Sequence, residues 1–251
     1  MSNYKLVFSP TGGTQKVTEL LAQVLMPEHR TVDLCAPISD LVLDAQDLCL
    51  VAVPSFGGRV PAVAVDRLRQ ISANGAAAIL VCVYGNRQWD DTLTELQDTL
   101  EAAGFGCVAA VAAVAEHSIF RQFAAGRPDS TDAEELRAFA LDIRKKLESG
   151  ADTTPVLPGK HGSYQVYLGV PFKPSANKHC VRCGLCAQNC PVAAIDPAAP
   201  DQTDKSICIS CMRCVSLCPS HARQIDPLLK KGATLALTPA LGGRKKNHLY
   251  L

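Results

Sequence analysis

Between Cys180 and Pro219 the chain carries one twelve-residue pattern twice. Cys180, Cys183, Cys186 and Cys190 precede Pro191, and Cys208, Cys211, Cys214 and Cys218 precede Pro219. Each run reads C-x2-C-x2-C-x3-C-P, the spacing with which thiolates hold a pair of [4Fe–4S] clusters. A cubane offers one thiolate site on each of four irons, and three cysteines this close together wrap one face of it. The fourth lies too far round the turn and serves the other cluster. The expected sets are therefore Cys180, Cys183 and Cys186 with Cys218, and Cys208, Cys211 and Cys214 with Cys190. Zinc is the alternative, because C-x2-C pairs are common in zinc ribbons. A zinc ion takes four ligands, usually as two separated pairs, and has no use for a third cysteine at equal spacing.

The 251 residues leave room for a full-sized domain beside this small one. A formal net charge of +1 gives no reason to expect nucleic acid as a partner. Two oxidised clusters, at roughly −2 apiece with their thiolates, would make the loaded protein mildly acidic. Of the twelve cysteines, Cys35, Cys49, Cys82 and Cys107 fall outside the runs, in apolar strand-like segments. Cysteine behaves there as a small buried hydrophobe. So many free thiols imply a reducing compartment. The sequence shows no signal peptide before the first strand and no apolar run long enough to span a bilayer. The expectation is a cytoplasmic protein.

The first 150 residues alternate short apolar runs with helical periodicity, the mark of an open parallel α/β sheet. Strands are predicted at 4–8, 31–34, 48–53, 77–84 and 105–113. The last two are nearly continuous apolar runs, as in strands covered on both faces. Val17, Leu20, Leu21, Val24 and Leu25 recur at helical spacing. Further helices are predicted at 62–71, at 91–103 and from a capping box at Thr131–Glu134 to about residue 147. Five strands of this kind suit the doubly wound order 2-1-3-4-5.

The loop after the first strand bears on the ligand. It reads Ser9, Pro10, Thr11, Gly12, Gly13, Thr14 and opens a helix. Glycines turn backbone N–H groups toward one point, hydroxyls add donors, and the helix amino terminus adds partial positive charge. The loop lacks the lysine of a Walker A loop and the G-x-G-x-x-G of a dinucleotide site. A neutral cradle suits a phosphate monoester such as that of FMN. Two more loops leave the same sheet edge: Pro54, Ser55, Phe56, Gly57, Gly58, Arg59, and Tyr84, Gly85, Asn86, Arg87, Gln88, Trp89. Phe56, Tyr84 and Trp89 are candidates to cover a flat ring, Asn86 to bond its pyrimidine edge, and Arg59 and Arg87 to offset its charge. His117, after the fifth strand, is a candidate acid–base group.

Together these loops, the Glu116-His117-Ser118 turn and both cysteine runs resemble the family of flavodoxin–ferredoxin fusions, iron–sulfur flavoproteins with a flavodoxin-like amino-terminal domain. The resemblance implies a flavodoxin-like five-stranded parallel sheet with FMN, followed by a small α+β bacterial-type ferredoxin domain with two [4Fe–4S] clusters. It implies no particular substrate. The expected organisation is 1–150 for the FMN domain, 151–176 for a connector rich in proline and glycine, 177–227 for the ferredoxin domain and 228–251 for a basic tail. Residues 165–168 are a candidate strand within the connector. The two cysteine runs repeat at an offset of 28 (180 to 208), which predicts a pseudo-twofold.

Clusters pass single electrons, and a flavin converts between single-electron and hydride chemistry. The leading expectation is an electron-transfer protein relaying electrons between a low-potential partner, its clusters and FMN. The alternatives are a reductase of a small organic acceptor, and an empty α/β module that positions a ferredoxin. A homodimer is one arrangement that would face one chain's cluster toward another's flavin.

Overall fold

The computed structural model describes residues 2–150 and 153–251. Met1 and the first two connector residues, Ala151 and Asp152, lie outside the described residues. The amino-terminal elements run β1 (Asn3–Val7), α1 (Gly13–Leu25), β2 (Arg30–Asp33), β3 (Leu41–Val42), β4 (Leu48–Pro54), α2 (Ala62–Leu68), β5 (Ile71–Ser72), β6 (Ala77–Tyr84), α3 (Thr92–Ala102), β7 (Gly106–Val114) and α4 (Ser130–Glu148). Five of these strands pair in parallel in the order β2-β1-β4-β6-β7, which is the doubly wound order expected.

Alternation along each strand divides the core in two. Leu6, Val51, Val53 and Leu80 face α2 and α3, with Leu68, Leu93, Leu96 and Leu100. Val7, Leu50, Ile79 and Val81 face α1 and α4, with Val17, Leu21, Leu136 and Ile143. Both faces are covered, so the central strands read as unbroken apolar runs. Cys35, Cys49, Cys82 and Cys107 are buried in the first of these layers. Burial pushes the Cys35, Cys49 and Cys107 thiols up to about 12, which keeps them protonated and inert.

Helix α4 starts differently from the expectation at Thr131–Glu134. Asp129 is the N-cap, accepting from the Asp132 N–H at 3.1 Å, while the Asp132 carboxylate accepts from the Asp129 N–H at 3.0 Å. An acidic pair does here what a Thr/Glu box does elsewhere, for about 1 kcal/mol.

The carboxyl-terminal elements are β8 (Ser175–Ala176), α5 (Leu185–Gln188), α6 (Arg213–Leu217), β9 (Arg223–Gln224), α7 (Pro227–Leu241) and β10 (His248–Tyr250). The small lobe thus begins at β8, which pairs antiparallel with β9, two residues before the expected boundary. Its two halves repeat in the backbone. Positive φ recurs at Arg182 and Ser210, at Gly184 and Met212, and at Ala193 and His221, each pair 28 residues apart. Outside glycine, each such residue costs roughly 1–2 kcal/mol, so the loops' contents must compensate.

Residues 228–251 are not a free tail. Asp226 caps α7 through the N–H groups of Leu228 and Leu229, both at 2.9 Å. The chain then returns to the large sheet, where β10 pairs antiparallel with β7 as a sixth strand. The connector forms no strand at 165–168; at Gln165, side chains rather than a neighbouring strand hold the backbone. Asp91 accepts from the Gln165 N–H at 2.7 Å, and Arg59 donates to the Gln165 carbonyl at 2.6 Å. A third apolar cluster, of Phe120, Phe172, Met212, Ile225 and Leu241, joins large domain, connector, small lobe and α7.

Candidate functional site

The loops leaving β1, β4, β6 and β7 meet at one cavity of about 70 Å³. Thr11, Gly13 and Thr14 form one wall, Pro54, Ser55 and Phe56 another, and Tyr84, Gly85 and His117 a third. Among the described residues, the N–H groups of Thr11, Gly12, Gly13 and Thr14 donate to no protein acceptor. Helix α1 has no side-chain cap and no acidic residue in its first turn. No lysine or arginine lines the cavity. Uncommitted backbone donors at a helix amino terminus are the donor set a phosphate monoester needs. Ser9 stands behind this wall, its Oγ accepting from the Gln15 N–H at 2.9 Å, so it shapes the loop rather than facing the cavity. Gly12 supplies the turn into α1 at φ 88°. Glu116 also lines the cavity, but Arg121 holds its carboxylate at 2.5 Å and offsets the charge.

A second cavity of about 230 Å³ adjoins the first, sharing Ser55, Phe56, Gly85, His117 and Ser118. Gly57, Gly58 and Arg87 lie on it, together with Tyr167 and Phe172 from the connector and Ile209 and Ser210 from the small lobe. The glycines are required here. A Cβ at Gly57, already at φ 59°, would run into the Tyr167 ring, and one at Gly85 would stand 2.8 Å from the His117 ring.

Five expected ligand contacts are redirected. Asn86 is buried and donates to the carbonyls of Leu241 and Gly243, each at 2.6 Å, so it anchors the returning chain instead of a pyrimidine edge. Trp89 packs between Tyr84 and His248, with ring centroids 5.1 and 4.9 Å away, and lines neither cavity. The Tyr84 hydroxyl donates to the Lys246 carbonyl at 2.6 Å, so its ring is a wall and not a cover. Arg59 forks onto Glu95 at 2.7 and 2.8 Å, which spends its charge on α3. Arg87 pairs with Asp90. Phe56 packs edge-on to Phe8 and stays on both cavity walls.

His117 Nδ1 accepts the N–H groups of Ile119 and Phe120 at 3.1 and 3.2 Å. The neutral ring therefore carries its proton on Nε2. Burial lowers its pKa from 6.5 to about 4, so it is neutral at pH 7. With one nitrogen engaged and the other protonated, it offers a hydrogen-bond donor and not a base.

The cysteines separate into two hollows. Cys180, Cys183, Cys186 and Cys218 line one, and Cys190, Cys208, Cys211 and Cys214 line the other. Backbone N–H groups of Ala194 and Ala222, 28 residues apart, donate to the Cys190 and Cys218 sulfurs at 3.3 Å each. All-thiolate donor sets ringed by N–H groups suit anionic iron–sulfur clusters. Among the described residues no three His, Cys, Asp or Glu side chains converge on a single-ion site. Thiolates around a cubane stand further apart, one to each corner.

Cys211 also forms part of the 70 Å³ cavity wall. The lobe is held in that position from two sides. Arg67 of α2 is buried and donates to the Leu34 carbonyl and, at 2.8 Å, to that of Pro191. Lys173 donates to the Cys208 carbonyl. Sequence reasoning missed Cys211's second position, along with Tyr167, Phe172, Ile209 and Ser210. No local signal marks them, since they arrive through docking of the lobe.

The family described as a 4Fe-4S binding domain (Fer4) matches residues 177–196 and 202–224. No curated protein matches the chain. Among solved structures, a flavodoxin from the domain Archaea is 11% identical, with 59% of this chain and 99% of its own covered and a TM-score of 0.40. A flavodoxin from Streptococcus pneumonia TIGR4 is 19% identical over 58% and 99%, with a TM-score of 0.39. An NADH:FMN oxidoreductase (EMOB) in its apo form is 14% identical over 58% and 89%, with a TM-score of 0.43. The sheet order, not these distant likenesses, carries the fold. The chain joins a flavodoxin-like α/β domain to a ferredoxin-type 4Fe–4S domain.

Proposed function

We propose that the protein is an electron-transfer iron–sulfur flavoprotein of the cytoplasm, holding FMN and two [4Fe–4S] clusters and exchanging electrons with a low-potential partner. The observation that carries this reading is Cys211, a wall of both the Cys190/Cys208/Cys211/Cys214 hollow and the cavity of the Thr11–Thr14 loop. When bound, the clusters supply one-electron transfer and the flavin supplies one- or two-electron chemistry. The chain's part is to hold, space and shield these groups. Thr11, Gly13 and Thr14 would take the FMN phosphate. Gly57, Gly58 and Gly85 leave room for a flat ring, and His117 adds a neutral donor at its edge. Cys180, Cys183, Cys186 and Cys218 would hold one cluster, and the remaining four cysteines the other.

The two cysteine sites differ in exposure. Cys211 is buried against the α/β domain, whereas Cys183 is exposed and flanked by exposed Val181 and Leu185. The outer site is thus the one a partner can reach. The arrangement needs no second chain, because Cys211 reaches the cavity of its own chain. Among the described residues no helix is long and apolar enough to cross a membrane.

Anaerobic reconstitution followed by iron, sulfide and flavin analysis tests the reading. About eight iron, eight sulfide and one FMN per chain are expected. Rapid reduction should then give flavin bleaching at a rate independent of protein concentration. Stoichiometric zinc without cluster absorbance would overturn the cluster assignment, and a colourless α/β domain the FMN assignment. Sustained turnover of a small organic acceptor without a protein partner would replace the relay by a reductase.

A further inference from the structure

A third cleft, of about 480 Å³, opens on the other side of the Tyr84–Asp90 loop. The returning segment Arg244–His248 forms its far wall, and Pro158 of the connector closes one end. It contains no cysteine and no part of the Ser9–Thr14 loop, so its occupant is independent of the electron relay. Its volume falls within the roughly 300–1,000 Å³ of small-molecule sites.

Two kinds of side chain line it. Trp89, Tyr84 and His248 form an aromatic wall, with Trp89 between the other two. Trp89 is only partly buried, and among the described residues its indole N–H has no protein acceptor. Buried or half-buried indoles usually find one. Four cations, Arg87, Arg244, Lys245 and Lys246, line the same cleft, with the Asp90 carboxylate among them. Two are already neutralised, Arg87 by Asp90 and Arg244 by Asp129 and Asp132. Lys245 and Lys246 have no carboxylate partner among the described residues.

These two ammonium groups are also placed by a rigid backbone. The Lys245 carbonyl accepts from Arg127 at 2.8 Å and the Lys246 carbonyl from Tyr84 at 2.6 Å, while Asn247, between them and β10, is buried. Main-chain anchoring leaves both side chains uncommitted at fixed roots, which lowers the ordering cost of binding an anion. An aromatic face with a free donor and two uncommitted cations in one cleft fit a multiply charged anion that carries a planar ring.

We propose that this cleft binds a phosphorylated nucleotide, its base against Trp89 and His248 and its phosphates on Lys245 and Lys246. Arg87 and Gln88 line both this cleft and the 230 Å³ cavity, so an occupant would press on the loop that bounds the FMN side.

Trp89 is the only tryptophan in the chain, so its fluorescence reports on this cleft alone. The cofactor-loaded protein is titrated with ATP, adenosine and tripolyphosphate, by calorimetry and by tryptophan emission. ATP should bind at least about tenfold tighter than either fragment and change the emission. The variant Lys245→Glu/Lys246→Glu, at one half-buried and one exposed position, should weaken ATP by about a hundredfold while keeping flavin and cluster absorbance. Trp89→Phe should keep tripolyphosphate binding and narrow the preference for ATP. No ATP binding, tripolyphosphate binding as tight as ATP, or ATP binding untouched by the double charge reversal would each overturn the proposal.

Discussion

His117 makes stability fall in mild acid by an amount the structure sets. Its ordinary pKa of 6.5 drops to about 4 in the folded protein because burial penalises the imidazolium, against a weaker opposing backbone hydrogen bond. Between those values the unfolded chain binds a proton that the native state refuses. The contribution is complete above about pH 6.5 and is lost as pH falls toward about 4. The gap is worth about 3 kcal/mol, an upper figure since the ring borders a cavity that water can enter. At about pH 5.5 the loss is roughly 1.4 kcal/mol, a tenfold shift in the unfolding equilibrium. The comparison variant is His117→Gln, which does not titrate and whose amide oxygen can accept the Ile119 and Phe120 N–H groups. Urea midpoints by pulse proteolysis at about pH 7.5 and about pH 5.5 should diverge between the two proteins, wild type losing more. Parallel losses would refute the neutral, half-buried ring and reopen His117 as an acid–base group.

The same geometry sets three further outcomes. Gly13→Asp sets a carboxylate against the phosphate cradle, where even a Cβ stands 3.3 Å from that of Ala115, and should abolish FMN binding measured by flavin fluorescence; wild-type affinity would place the phosphate elsewhere. Cys190→Ser should damage the cluster site of Cys208, Cys211 and Cys214 more than the other, and Cys218→Ser the reverse, as read by paramagnetic resonance of the reduced protein. Asn86→Ala leaves the Leu241 and Gly243 carbonyls without their donor, a cost of about 2–4 kcal/mol, and should speed amide exchange at residues 248–250. Unchanged protection there would mean that β10 pairing alone holds the returning chain.

Much of this molecule is written locally. The five parallel strands, the open α1 terminus and the cysteine spacing each follow from residues within about a dozen positions of one another. Most of the redirected positions share another property: their partners come from far along the chain, Arg87 with Asp90 being the local exception. Asn86, Arg87 and Trp89 sit in a polar, aromatic loop at the ligand-bearing edge, and nothing near them shows that one will meet Gly243 and another His248. Arg59 likewise finds Glu95 on α3. The basic run Arg244–Lys246 reads as a solvated tail because its anchors, Asp129, Asp132 and Asn86, lie more than a hundred residues earlier.

Those distant partners explain why the chain returns to its first domain. A small lobe tethered only by residues 153–174 would sample many orientations, and a buried Cys211 would meet its cavity only part of the time. The return through α7 adds a second tether, and its anchors are costly to break. Asn247 accepts from the Val114 N–H at 2.8 Å and donates to Asp132 and Glu135, while Arg127 forks onto Asp132 at 2.5 and 2.8 Å. Burial pulls the Asp132 carboxyl upward, but Arg127, the Asp129 N–H and Asn247 outweigh it and hold the pKa below the ordinary range. A buried charge so fully satisfied fixes geometry more than it adds stability, since removing any one partner strands the rest. With Phe120, Phe172, Met212, Ile225 and Leu241 packed between the tethers, the lobe has one seat on the domain. That seat puts Cys211, and no cysteine of the first run, against the cavity of the Thr11–Thr14 loop.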